Sequence, residues 1–228
     1  DVIDEMVSVI HKVGTGSGGT RNISGTTPYH QNLENTLSQY HGKESALIFN
    51  SAYLANQTSI WTICKALKDV CVFSDSLNHA SLIQGMKNSN SECKIFDHND
   101  LAHLEALLKE SDLERPKLIV FESLYSMDGT IVPVDKYVKL AKKYNALTYL
   151  DEVHAIGLYG KQGRGISASE HGLPEHEIWE LLQIADTETV LRERRLKWMR
   201  SMCNLEEDKG RGQVPMLAML EGDIVTTD

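Results

Sequence analysis

Between residues 69 and 151 the chain alternates between short apolar runs and segments of helical period, and this alternation restricts the fold more than any other feature. The runs are "DVCVFS" (69–74), "CKIF" (93–96), "KLIVFES" (117–123) and "ALTYLD" (146–151). Helices are predicted between them: one over His79–Lys87, one opened by Asp100 with Leu101, Leu104, Leu107 and Leu108 at apolar spacing, and one entered through Pro133 and running to Tyr144. Strands separated by helices of about ten residues predict right-handed βαβ units. The predicted fold class is therefore α/β, a parallel-rich sheet flanked by helices. Upstream, Leu33, Leu37 and Tyr40 mark a helix, "ALIF" (46–49) a further strand, and Thr58–Leu67 another helix. In such sheets ligands sit beyond the carboxyl ends of the strands. Three of those ends carry polar clusters, "SDSLNH" (74–79), "ESLYSMDG" (122–129) and "DEVHAIG" (151–157), and they are expected to share one rim.

Charge excludes one class of partner. Lys and Arg total 23 against 32 Asp and Glu, a formal charge of −9, which argues against nucleic acid, since neutralising phosphates needs a basic face. Cys64, Cys71, Cys93 and Cys203 show no paired spacing, so no metal site is expected and free thiols are. No apolar run approaches the roughly 20 residues of a membrane span. The chain opens at Asp1 and reads as an internal piece. Residues 1–177 are expected to form the α/β domain. Residues 178–203, with Ile178, Leu181, Leu182, Leu191 and Leu196, read as a helical segment of other origin, and 204–228 as a polar, poorly ordered tail.

Four motifs carry chemistry, each with a plainer alternative. "GTGSGGTRNISGT" (14–26) is not a nucleotide phosphate loop, because no Gly-Lys-Ser/Thr follows it. It is a turn, or it presents Thr20, Arg21 and Asn22 to an acid or phosphate. In "SDSLNHAS" (74–81), Ser76 or Asn78 reads as a helix N-cap, while His79 at the helix start suits a planar ring. "YSMDGT" (125–130) reads as a turn around Asp-Gly. "DEVHA" (151–155) is the sharpest of the four. Pyridoxal phosphate works as an electron sink only while its ring nitrogen stays protonated, and a carboxylate beside that nitrogen favours the charged form. Asp151 at a strand tip suits that role, and His154 suits the ring's phenolic oxygen. The alternative is a polar strand terminus.

Together these segments resemble the α-oxoamine synthases, fold-type I pyridoxal-phosphate enzymes, from about Val13 to about Gly172. Further marks are "HND" (98–100) and "TRNISGT" (20–26), the latter similar to the branch that makes 5-aminolevulinate. The resemblance implies a partial fold-type I large domain. It implies that His79 stacks on the cofactor ring, Asp151 pairs with its nitrogen and His154 bonds its hydroxyl, with Ala52, Tyr53 and Ser126 also in contact. Thr20 and Asn22 would meet the succinyl carboxylate, and Ser74 would help hold the acyl-CoA. The implied reaction condenses glycine with succinyl-CoA to 5-aminolevulinate, carbon dioxide and CoA, in a homodimer with its site between subunits. The implied location is the mitochondrial matrix in a eukaryote or the cytoplasm in a bacterium.

The sequence also departs from the family. No "GTLGKA"-like segment supplies the Schiff-base lysine; Lys161 and Lys197 lack its neighbours, and Cys93 stands where a basic residue commonly meets CoA. A catalytically inactive fragment or pseudoenzyme is therefore one alternative, and a sister synthase using another amino acid is a second.

Overall fold

The computed structural model describes residues 2–168. Its elements are α1 (Val2–Val13), α2 (Pro28–His41), α3 (Ala52–Ala66), β1 (Cys71–Asp75), α4 (Ala80–Ser89), β2 (Glu92–Phe96), α5 (Leu101–Lys109), β3 (Lys117–Glu122), α6 (Val134–Lys143) and β4 (Ala146–Asp151). The expectations for 178–203 and 204–228 lie outside the described residues.

All four strands run parallel, in the order β2-β1-β3-β4. The chain moves one way from β1 to β2, then reverses to β3 and β4. Right-handed crossovers must then put α4 on one face and α5 and α6 on the other, and the two cores agree. Val72, Leu118 and Val120 pack with Ile60 of α3 and Leu82 of α4. Phe73, Ile119 and Phe121 pack with Leu104 of α5 and Tyr137 of α6. Because strand side chains alternate between faces, β1 and β3 feed both cores and are buried throughout. The reversal leaves a crevice between the carboxyl ends of β1 and β3, the usual ligand position in such sheets.

The run 46–49 is not a strand. Its backbone is held by side chains: Ile48 N–H donates to Glu34 Oε1 (2.9 Å), and Arg21 Nη1 reaches the Ile48 carbonyl (3.5 Å). With these groups satisfied, no ladder partner is needed. Helix α3 is longer than Thr58–Leu67, because Ser51 caps it at Leu54 N (3.1 Å) and starts it at Ala52. Neither Ser76 nor Asn78 caps α4. His79 does, its Nδ1 accepting from Ser81 N (3.2 Å), while Asn78 Nδ2 crosses to the Val120 carbonyl (2.8 Å). Asn78 is thus a strut between β1 and β3.

Candidate active site

Three buried carboxylates end three neighbouring strands: Asp75 on β1, Glu122 on β3 and Asp151 on β4. Glu122 and Asp151 are register partners. The expected convergence of strand ends is therefore present, and Glu122, which heads the "ESLYSMDG" cluster but was given no role, joins it. Its Oε1 accepts the His79 backbone N–H at 2.6 Å and fixes the start of α4. Burial, with the charges of Asp151 and Asp75 adding, pushes its carboxyl up to about 7.

Asp151 is held from both sides. Its Oδ2 accepts from Asn56 Nδ2 (2.6 Å) and its Oδ1 from Val153 N–H (2.8 Å). Asn56 Nδ2 also donates to Ser81 Oγ (3.0 Å), which lies 2.8 Å from His79 Nδ1, and Asn56 Oδ1 accepts from Tyr149 OH (2.9 Å). Burial, with Asp151's charge adding, pushes the Tyr149 phenol up to about 12, so it stays a donor. One hydrogen-bonded chain thus joins Asp151 to His79. Asn56 is its centre, a residue the sequence reading passed over. The signal for it was there: Asn56, Ile60 and Cys64 share the buried stripe of α3, and only the first is strongly polar.

The other candidate residues are placed as follows. Tyr53, in the first turn of α3 beside Ala52, meets the His79 ring edge-on, with centroids 6.2 Å apart. His154 is exposed in the turn that follows β4, and Ser126 is exposed in the loop that follows β3. Ser74 is buried, its Oγ donating to the Asp75 carbonyl (3.1 Å) and accepting from Asn78 Nδ2 (2.9 Å), so its hydroxyl is spent inside the fold. Thr20 and Asn22 are exposed on a short π-helical turn, Arg21–Gly25, built on the Thr20 carbonyl. That turn needs Gly25, because a Cβ there would lie 2.8 Å from the Thr20 carbonyl carbon. Arg21 between them is paired with Glu34 through both terminal nitrogens (2.5 and 3.0 Å), so its charge is already taken. Asp151 and His79 are brought together through Asn56 and Ser81, with Tyr53 against the His79 ring; Thr20 and Asn22 sit on a separate turn. Among the described residues no His/Cys/Asp/Glu group is suited to a metal.

The donor set suits a cationic ring nitrogen. Both hydrogen-bond partners of Asp151 are neutral, an amide side chain and a backbone N–H, so its negative charge is oriented but left without a cation in these bonds. Pyridoxal phosphate would fit that arrangement: Asp151 would hold its ring nitrogen, the His79 ring would lie against it, and the open first turn of α3 would take the phosphate. Lys117 does not belong to this site. It begins β3, roughly 16 Å from the Glu122 end at strand rise, and its Nζ donates to the Leu113 and Arg115 carbonyls (3.0 and 2.8 Å).

Comparison with known proteins agrees with this fold. The family model described as "Aminotransferase class I and II" matches residues 2–185, beyond both ends of the Val13–Gly172 span. The chain is 53% identical over 177 residues to a 5-aminolevulinate synthase of Paracoccus denitrificans, covering 78% of this chain and 43% of that one. It is 51% identical over 179 residues to the corresponding synthase of Bradyrhizobium diazoefficiens, covering 78% and 44%. A solved serine palmitoyltransferase from S. paucimobilis with bound PLP-myriocin superposes with a TM-score of 0.71 at 36% identity, over 74% of this chain and 42% of that one. The chain thus spans less than half the length of the relatives it matches.

Proposed function

We propose, from the premise that the chain belongs to the aminotransferase class I and II family, that the rim around Asp151 binds pyridoxal phosphate and serves an acyl-CoA condensation. The reaction we assign is that of glycine with succinyl-CoA, giving 5-aminolevulinate, CoA and carbon dioxide, as the names of the relatives at about half identity suggest. The observation that carries the assignment is the buried Asp151 carboxylate, oriented by Asn56 and Val153 and bonded to no cation in these contacts. Bound pyridoxal phosphate supplies an electron sink for negative charge at the substrate α-carbon.

The chain's own residues divide the work. Asp151 holds the ring-nitrogen proton, each unit of upward shift being about 1.4 kcal/mol. Asn56 keeps the carboxylate from turning away. His79 lies against the ring face, its backbone fixed by Glu122, and His154 donates to the phenolic oxygen. Ala52 and Tyr53 offer first-turn N–H groups to the phosphate, and Ser126 contacts the cofactor. Thr20 and Asn22 bind the acyl carboxylate. Ser74 bears on the acyl-CoA only indirectly, by holding Asn78. A homodimer is the assigned assembly, supported by the exposed apolar residues Val2, Ile3, Met6 and Ile10 of α1. The assigned location is the bacterial cytoplasm or the mitochondrial matrix. No helix of the described residues is long and apolar enough to cross a membrane.

A second reading is favoured by the sequence itself: its 228 residues contain no glycine-flanked lysine of the family's kind. On that reading the chain binds the cofactor without condensing anything. One experiment separates the two. Purified chain is titrated with pyridoxal phosphate, treated with borohydride and mapped by mass spectrometry. Attachment at a single lysine, with glycine-dependent release of CoA from succinyl-CoA, supports the synthase. Saturable binding without attachment supports the inactive binder. Preference for serine or alanine over glycine would instead indicate a sister synthase.

A further inference from the structure

A half-buried imidazole with no part in the proposed chemistry touches two of the strand-end motifs. His98, from the "HND" segment between β2 and α5, donates Nδ1–H to Asp75 Oδ1 at 2.9 Å. Asp75 is otherwise filled by backbone, accepting from Leu77 N–H (2.9 Å) and Asn99 N–H (3.0 Å). The opposite nitrogen of His98, Nε2, is buried without a hydrogen-bond partner and lies 3.5 Å from Asp128 Oδ2. The ring meets Tyr125 edge-on at 4.5 Å. Asp128 and Tyr125 belong to the loop that carries Ser126. That loop is closed by Tyr125 N–H to the Thr130 carbonyl and Gly129 N–H to the Tyr125 carbonyl (both 3.0 Å). Asp128 adds a turn by accepting from Thr130 N–H (2.9 Å) and Oγ1 (2.7 Å).

We infer that His98 is a positioning residue: it ties the Ser126 loop to the carboxyl end of β1 by bridging Asp75 and Asp128, and so sets where Ser126 stands above the cofactor site. This rests on the reading of Ser126 as a cofactor contact. The two contacts use different nitrogens: Nδ1 bonds Asp75, and Nε2 stands 3.5 Å from Asp128 Oδ2. The charged groups these contacts bring to His98 are acids, Asp75 from β1 and Asp128 from the loop, with Glu122 of β3 acting at longer range. Tyr125 faces the ring from the loop.

The two nitrogens are separable by substitution. In His98→Asn the amide replaces Nδ1 and retains the bond to Asp75, while the reach to Asp128 is lost. Asp128→Asn removes the same reach from the other side. Both, and the double variant, are made in the full chain beside Ser126→Ala. Amide exchange is measured without ligand, and affinity for pyridoxal phosphate by absorbance and tryptophan fluorescence. Exchange over residues 124–131 should quicken about tenfold in each single variant, no more in the double, and leave β3 unchanged. Affinity should fall by about the same several-fold factor in His98→Asn, Asp128→Asn and Ser126→Ala. Unchanged exchange in both single variants overturns the tie, whatever the affinities do, and so do effects that multiply in the double. Faster exchange with affinity untouched in all three single variants keeps the tie but overturns its bearing on the cofactor. A parent chain that binds no pyridoxal phosphate sinks the Proposed function instead, and exchange still decides the tie.

Discussion

Burial, with the charges of Asp151 and Asp75 adding, raises the carboxyl pKa of Glu122, and this is measurable. Its folded pKa, about 7, lies above its ordinary 4.5. The folded state therefore holds more protons than the unfolded state between those values, and stability from this group falls as pH rises through the window. The full cost above pH 7 is about 3 kcal/mol at 1.36 per unit. Glu122→Gln retains an acceptor for His79 N–H and removes the titration. Denaturant unfolding of parent and variant from pH 4.5 to 8 should give a difference that grows toward the variant with pH. A flat difference would mean Glu122 is charged throughout. Glu34 and Glu105 have the opposite sign, each held low mainly by its cation, Arg21 or Lys143, so their stabilisation is lost toward acid and cancels in the difference. Asn56 gives a second residue-scale outcome. Asn56→Ala strands Asp151 Oδ2 and Tyr149 OH without their partner, which should cost about 1–3 kcal/mol in unfolding and weaken pyridoxal phosphate binding. Motif reading found Asp151 and His79 within strand-end clusters. It quoted Glu122 at the head of such a cluster without a role and passed over Asn56, because their partners lie 43 and 95 positions away.

At the scale of elements the apolar runs were legible wherever a neighbouring strand exists to pair with. The strands 71–75, 92–96, 117–122 and 146–151 each sit inside or within a residue or two of a predicted run. The run 46–49 has the same composition, but Glu34 and Arg21 take its backbone groups, and a tertiary contact of that kind leaves no trace in local pattern. Helices α3 and α4 meet at Gly85, and an added Cβ there would lie 3.0 Å from both the Gln57 carbonyl oxygen and Ile60 Cβ. Gly85→Ala must move the two helices apart. Since α3 carries Asn56 and α4 begins at His79, the variant should lose about 1–3 kcal/mol of stability by the usual cost of overpacking. It should also bind pyridoxal phosphate more weakly, despite lying outside the site. A variant as tight and stable as the parent would show that the helix pair does not set the Asp151–His79 spacing.

For the whole molecule, the order β2-β1-β3-β4 decides where chemistry is possible. The reversal after β2 sets the crevice between the ends of β1 and β3, at Asp75 and Glu122, with Asp151 beside Glu122 on β4. Alternation of strand and helix made this sheet readable as parallel from the sequence. Helix α1 was not among the predicted helices, although Val2, Ile3, Met6 and Ile10 recur at helical spacing, and in the fold these residues are exposed. If these residues serve a second copy, sedimentation should report a dimer, and Met6→Glu should shift it to monomer while leaving far-ultraviolet circular dichroism unchanged. A parent chain that sediments as monomer would remove that role for α1.

The most direct measurement uses pyridoxal phosphate labelled with nitrogen-15 in its ring, bound to the chain near neutral pH. Asp151 should give the bound nitrogen the chemical shift of a protonated ring, and Asp151→Asn should move it to that of neutral pyridine. A neutral-ring shift in the parent, or the same shift in both, would mean this carboxylate does not govern the cofactor's charge.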